Sequence, residues 1–105
     1  MKIYVTHSSN FDYKNDLYLP IRQSKLNIQH EITLPHEQTD ELFNSKEYMK
    51  NCDFILAEVS YPSTGQGIEL GWADLYNKPI LCFYKKGFKP SKSINAVSKH
   101  IFELK

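Results

Sequence analysis

The sequence predicts a single α/β domain: an open parallel sheet of order 2-1-3-4, helices on both faces, and a ligand site at the carboxyl ends of the strands. Two observations carry the class and the parallel pairing, while the strand order is not read directly from them. Four short runs rich in β-branched and aromatic residues are separated by stretches too long for hairpins, which implies parallel pairing through right-handed crossovers. One run, Phe54-Ile55-Leu56-Ala57, is apolar at consecutive positions, the mark of a strand covered on both faces. A chain of 105 residues supports one domain, residues 1–105. At this size about two-thirds of the extended-chain surface is buried on folding, so the core is thin.

The elements follow in order. Lys2 to Thr6 is β-rich and reads as the first strand, and His7-Ser8-Ser9-Asn10 is a polar loop. Asp16 is the expected cap of a helix over Leu17 to Leu26, with Pro20 near its first turn. His30 to Leu34 is a second strand closed by Pro35. Asp40 to Asn51 reads as a helix with Leu42, Phe43 and Met49 on its buried side. Asp53 to Ser60 is the third strand, Gln66 to Tyr76 a helix, and Pro79 to Tyr84 the fourth strand. A final helix is expected over Lys92 to Leu104. With strands one and three adjacent, His7, Ser8, Ser9, Glu58 and Ser60 come to one sheet edge, and a crevice opens there. Asp53 begins its strand and belongs to the opposite edge.

Bulk properties narrow the classes. A net charge of +1 gives no reason to expect polymeric nucleic acid as a partner. From Lys85 onward six lysines (Lys85, Lys86, Lys89, Lys92, Lys99 and Lys105) face one acid, Glu103, a solvated face or an aid in holding a small anion. Cys52 and Cys82 lack metal-ligand spacing and are expected free and buried, as in a reducing compartment. His7, His30, His36 and His100 form no ligand cluster, so neither a metal nor another cofactor is expected. No apolar run approaches the roughly 20 residues of a membrane span, and Met1 leads straight into a strand. The expected location is the cytoplasm.

The chemistry sits between Ser60 and Gly71. Ser63-Thr64-Gly65-Gln66-Gly67 leaves a strand and enters a helix, bringing two hydroxyls, two glycines and free helix-start N–H groups together as an anion cradle. It has neither the dinucleotide spacing nor a Walker lysine. Ser63 with Gln66 also fits a capping box, a purely structural alternative. Glu69 shares a helix side with Trp72, Ala73 and Tyr76, so its carboxylate is expected to face the sheet or a pocket.

The run from Cys52 to Ala73, with Ala57-Glu58-Val59-Ser60 and Pro62-Ser63-Thr64-Gly65-Gln66-Gly67-Ile68-Glu69, then Asn77-Lys78-Pro79-Ile80, resembles the nucleoside 2-deoxyribosyltransferase superfamily. The closer branch is the 2'-deoxynucleoside 5'-monophosphate N-glycosidases. The resemblance implies a flavodoxin-like sheet, a small nucleoside or nucleotide as partner, and a homodimer. It implies that Glu69 attacks the anomeric carbon, that Tyr4 lies near the sugar, and that Ser63, Gly65 and Gly67 hold the 5'-phosphate. It also implies that Ser91 reaches that phosphate from a neighbouring subunit. His7, Ser8 and Thr64 complete the expected substrate contacts.

Two departures matter. The family aspartate on the second helix aligns with Ser45, which cannot act as a comparable acid at neutral pH. Asp40 is the catalytic candidate in its place, with Glu41 and His36 near the same edge. The first loop carries Phe11 and Tyr13 where the branch has glycines and arginines. The expectation is cleavage or base exchange at an N-glycosidic bond. The alternatives are a nucleotide-binding module without efficient catalysis and an unrelated α/β interaction protein.

Overall fold

Neighbouring strand positions point to opposite faces, so a strand that is apolar at consecutive positions needs two covering layers. Strand β1 (Lys2–Thr6) is such a strand: Ile3 and Val5 face one way, Tyr4 the other, and none is more than 2% exposed. The computed structural model, which describes residues 1–37 and 45–104, supplies both layers. A π-helical turn (Lys14–Tyr18), helices α1 (Leu19–Arg22) and α2 (Lys25–Gln29) lead to strand β2 (Glu31–Thr33). Helix α3 (Ser45–Asn51), strand β3 (Phe54–Glu58), helix α4 (Thr64–Leu75) and strand β4 (Ile80–Tyr84) follow. A 3-10 turn (Lys92–Ala96) and strand β5 (His100–Glu103) end the described chain.

The sheet is parallel, in the order β2-β1-β3-β4-β5. Leu17, Tyr18 and Ile21 pack with Ile3, Val5 and Leu56 on one face. Met49 of α3 with Leu70 and Ala73 of α4 packs against Tyr4, Ile55 and Ala57 on the other. The flavodoxin-like architecture and the order 2-1-3-4 are as predicted, with a fifth strand added. Asp53 lies at the amino edge, where its carboxylate accepts from the Lys2 N–H at 2.7 Å. Cys52 and Cys82 are free and buried, and burial raises both thiol pKa values.

Three local predictions differ from the structure. The final helix is replaced by the 3-10 turn and β5. Ile94, Val97, Ile101 and Leu104 recur at helical spacing, yet Ile94 and Val97 reach one core from the turn region and Ile101 reaches it from a strand. The first helical segment starts at Lys14, and Asp12, not Asp16, holds its start through the Asn15 amide nitrogen (Nδ2) at 2.9 Å. Pro20 has no N–H to offer the Asp16 carbonyl, and the ladder shifts just before it: the Leu19 N–H bonds the Lys14 carbonyl, one residue beyond α-spacing. The break at Gln23 and Ser24 then separates α1 from α2. Of the second predicted helix, Met49 is fully buried as expected, while Leu42 and Phe43 lie outside the described residues.

No helix among the described residues is long and apolar enough to cross a membrane. Met49 fills the space between α3 and the sheet, so Met49→Ala is expected to cost about 2–5 kcal/mol in urea denaturation. Leu75, at 77% exposure, is the control, and Leu75→Ala should stay within about 0.5 kcal/mol of the parent.

Candidate active site

The start of α4 is fixed by four hydrogen bonds. Ser63 is the extended N-cap residue, its hydroxyl accepting from the Gln66 N–H at 3.4 Å, and the Ser63 carbonyl accepts from the Gly67 N–H at 3.0 Å. The Gln66 side chain does not complete a capping box. It is 4% exposed and donates to the Glu58 carbonyl at 2.7 Å and the Thr6 carbonyl at 3.3 Å. One amide thus ties the helix start to the carboxyl ends of β3 and β1, which are paired through Thr6 and Ala57. Glu69 lies three residues further along α4 and therefore shares the side of the helix that Gln66 turns inward.

Glu69 meets two hydroxyl donors there. The Tyr4 hydroxyl donates to Oε2 at 2.9 Å and the Thr6 hydroxyl to Oε1 at 2.6 Å. Tyr4 and Thr6 are two apart on β1, on one face, and both are 0% exposed. Burial raises the Tyr4 pKa, and the charge of Glu69 and the hydrogen bond to it raise it further, so this phenol stays protonated as a donor. Ser45, the first residue of α3, is buried beside Tyr4, and its side chain acts against the rise of the Tyr4 pKa. The cluster is one carboxylate and three hydroxyls. Thr6 had no signal in the sequence, where it is one β-former among others. Asp40 and Glu41 lie outside the described residues.

The first loop turns inward. His7 is 8% exposed and uses both ring nitrogens within the fold: Nδ1 donates to the Ser8 carbonyl at 2.7 Å, and Nε2 accepts from the Tyr18 hydroxyl at 2.6 Å. Neither nitrogen is left for a ligand in this arrangement. Desolvation pushes its pKa down to about 4 against the opposing pull of the Ser8 hydrogen bond, with His36 adding to the fall. Ser8, 1% exposed, accepts from the Asn10 N–H at 3.0 Å. Phe11 stacks on Tyr61 with centroids 4.8 Å apart, which joins the loops after β1 and β3. The Lys85 ammonium lies 5.0 Å from the Phe11 ring centre and 3.7 Å from Asp16, while Lys86, Lys89, Lys92 and Lys99 are exposed. The His36 N–H donates to Tyr18 at 3.0 Å, and its buried Nδ1 has no partner among the described residues.

Ser63, Thr64, Gly67, Ser91 and Ser93 line a cavity of about 420 Å³ beside the start of α4. Ser91 reaches it within the same chain as Ser63. Gly65 and Gly67 belong to the first turn of the helix, and a Cβ there would approach no atom closer than 4.0 Å, so packing within the chain does not demand glycine. Among the described residues no group of three or more His, Cys, Asp or Glu side chains could hold a metal ion.

No family model matches the chain. A 39-residue segment is 46% identical to the 5-hydroxymethyl-dUMP N-hydrolase of Homo sapiens, covering 37% of this chain and 22% of that protein. Segments of 40 and 52 residues are likewise similar, at 42% and 38% identity, to putative 2'-deoxynucleoside 5'-phosphate N-hydrolases of Syntrophotalea carbinolica and Nematostella vectensis, covering 28% and 34% of those proteins. The segment shared with the N-hydrolases therefore spans about a fifth of the human relative. Over the whole chain, solved structures share the fold. A 2-deoxyribosyltransferase from Bacillus psychrosaccharolyticus superposes with a TM-score of 0.78 at 22% identity over 99% of this chain and 87% of that one. A CMP N-glycosidase from Clostridium botulinum gives 0.65 at 22% identity over 99% and 89%.

The buried His7 carries a pH signature. Above its ordinary value of 6.5 the ring is neutral in folded and unfolded chains alike, and between 6.5 and about 4 only the unfolded chain takes up the proton. Stability is therefore lost as pH falls through that window, by up to about 3 kcal/mol. Urea denaturation of the parent and His7→Gln at pH 7 and pH 4.5 should show a loss about 2 kcal/mol larger in the parent. Equal losses would exclude a buried neutral His7.

Proposed function

We propose that the chain cleaves the N-glycosidic bond of a nucleoside or 2'-deoxynucleoside 5'-monophosphate, with Glu69 as the nucleophile. The observation that carries this reading is the Glu69 carboxylate itself, turned toward the carboxyl edge of the sheet and held there by Tyr4 and Thr6. The homologous N-hydrolase segment supports it.

Cleavage of a glycosidic bond leaves positive charge on the sugar, and a carboxylate at the anomeric carbon stabilises that charge before bonding to it. In the first step a Glu69 oxygen bonds to C1′ as the C1′–N bond breaks, its electron pair leaving with the base, which then takes a proton. In the second, water attacks C1′, the ester bond to Glu69 breaks, and the water's proton is lost to solvent. A second base in place of water gives exchange instead of hydrolysis. Tyr4 orients the carboxylate beside the sugar. The 5'-phosphate takes the cavity beside the first turn of α4, which Ser63, Thr64 and Ser91 line and where Gly67 leaves room, with Gly65 in the same helical turn. Binding the phosphate fixes the sugar over the carboxylate without entering the chemistry.

A second reading has its own observation. Ser45 occupies the position of the family acid and lies beside Tyr4, so no acid at that position protonates the departing base. This favours a nucleotide-binding module without efficient turnover.

Incubation with a panel of nucleosides and their 5'-monophosphates, with free base followed by chromatography, separates the two. Base release from monophosphates is expected, falling about a thousandfold or more in Glu69→Ala. Undiminished release in that variant would remove Glu69 from the chemistry. Calorimetric binding of a monophosphate with no base released would select the binding module.

A further inference from the structure

Thr6 stands outside the residues that the sequence pattern marks, yet it makes the shorter of the two contacts to Glu69. We propose that Thr6 is a positioning residue that, with Tyr4, fixes the plane of the Glu69 carboxylate. The proposal rests on the reading of Glu69 as nucleophile.

The last torsion of a glutamate is broad and soft, so a carboxylate held through one oxygen still swings. Here each oxygen has its own donor, Thr6 on Oε1 at 2.6 Å and Tyr4 on Oε2 at 2.9 Å. Both donors come from β1, an interior strand paired with β2 on one side and β3 on the other. A strand held on both edges is a stiffer mount than a loop. The Thr6 hydroxyl has no exposure, so water does not compete for its proton. Displacement of a reacting atom by about 1 Å is enough to cost catalysis heavily. The contact of Thr6 with Gln66 uses its backbone carbonyl, and so a side-chain substitution leaves that contact in place.

These features separate the hydroxyl from the rest of the residue. Thr6→Val keeps the branched shape and removes the donor. Thr6→Ser keeps the donor and removes the methyl. On the 2'-deoxynucleoside 5'-monophosphate that the parent turns over fastest, Thr6→Val should lower kcat about 10- to 100-fold with KM within about twofold. Thr6→Ser should return kcat to within about threefold of the parent. Thr6→Val with kcat within about twofold of the parent, or Thr6→Ser as slow as Thr6→Val, would overturn the proposal. Thr6→Ala takes the place of Thr6→Val if the valine variant does not fold.

A second measurement works without turnover. A slowly exchanging, downfield hydroxyl proton from Thr6 is expected in the proton NMR spectrum, lost in Thr6→Val and shifted in Glu69→Gln. If the parent releases no base from any nucleotide, the nucleophile reading fails by itself and this signal decides the positioning. Its absence, or its indifference to Glu69→Gln, would overturn it.

Discussion

A carboxylate turned toward a sheet must find donors or swing out into water, and two hydroxyls on β1 are what hold Glu69 in. That pairing depends on the parity of one strand and the phase of one helix. Tyr4 and Thr6 share a face because they are two residues apart. Glu69 meets them because Gln66, three residues earlier, is fixed to the ends of β1 and β3. A single-residue shift in the phase of α4 would turn Glu69 by about 100° away from the strand. The cap at Ser63 and the buried amide of Gln66 both oppose such a shift, one through the backbone and one through the sheet.

The two-sided, parallel character of the sheet was legible because β3 is apolar at consecutive positions, which only a two-sided layer explains, whereas the strand order was not readable from that pattern. Glu69 was legible too, since a Ser-Thr-Gly turn into a helix marks where strand ends and helix starts converge. What escaped the sequence depended on contacts distant along the chain. Thr6 looks like any strand threonine until α4 is laid over β1. Gln66 looks like half of a capping box, because the carbonyls it binds belong to residues 60 and 8 positions away. His7 looks like a polar loop residue until Tyr18 covers it. β5 failed for a different reason: apolar residues at helical spacing met one core from two kinds of structure.

Ser45 changes the character of the site more than its position suggests. A second carboxylate there would sit close to Tyr4 and, through it, to Glu69. A serine removes that like charge and leaves a neutral hydroxyl beside Tyr4, which itself donates to Glu69. Such a set orients one anion well and offers no strong acid at neutral pH, since a buried phenol with a raised pKa gives up its proton reluctantly. Orienting a carboxylate and supplying a proton are thus separable tasks, and this cluster is equipped for the first.

The loop after β1 adds to that orientation by being already packed. His7 is bonded on both nitrogens, Ser8 accepts from Asn10, and Phe11 stacks on Tyr61 across the ends of neighbouring strands β1 and β3. A loop of glycines would have to be ordered each time a ligand arrived, at a cost in conformational entropy. Here aromatic contacts meet that cost during folding, before any ligand is present. The same rings give the carboxyl edge of β1 and β3 a bulky, packed cover. For the proposed nucleotide, discrimination at this edge would then depend on what fits between packed side chains, and much less on how a flexible backbone closes.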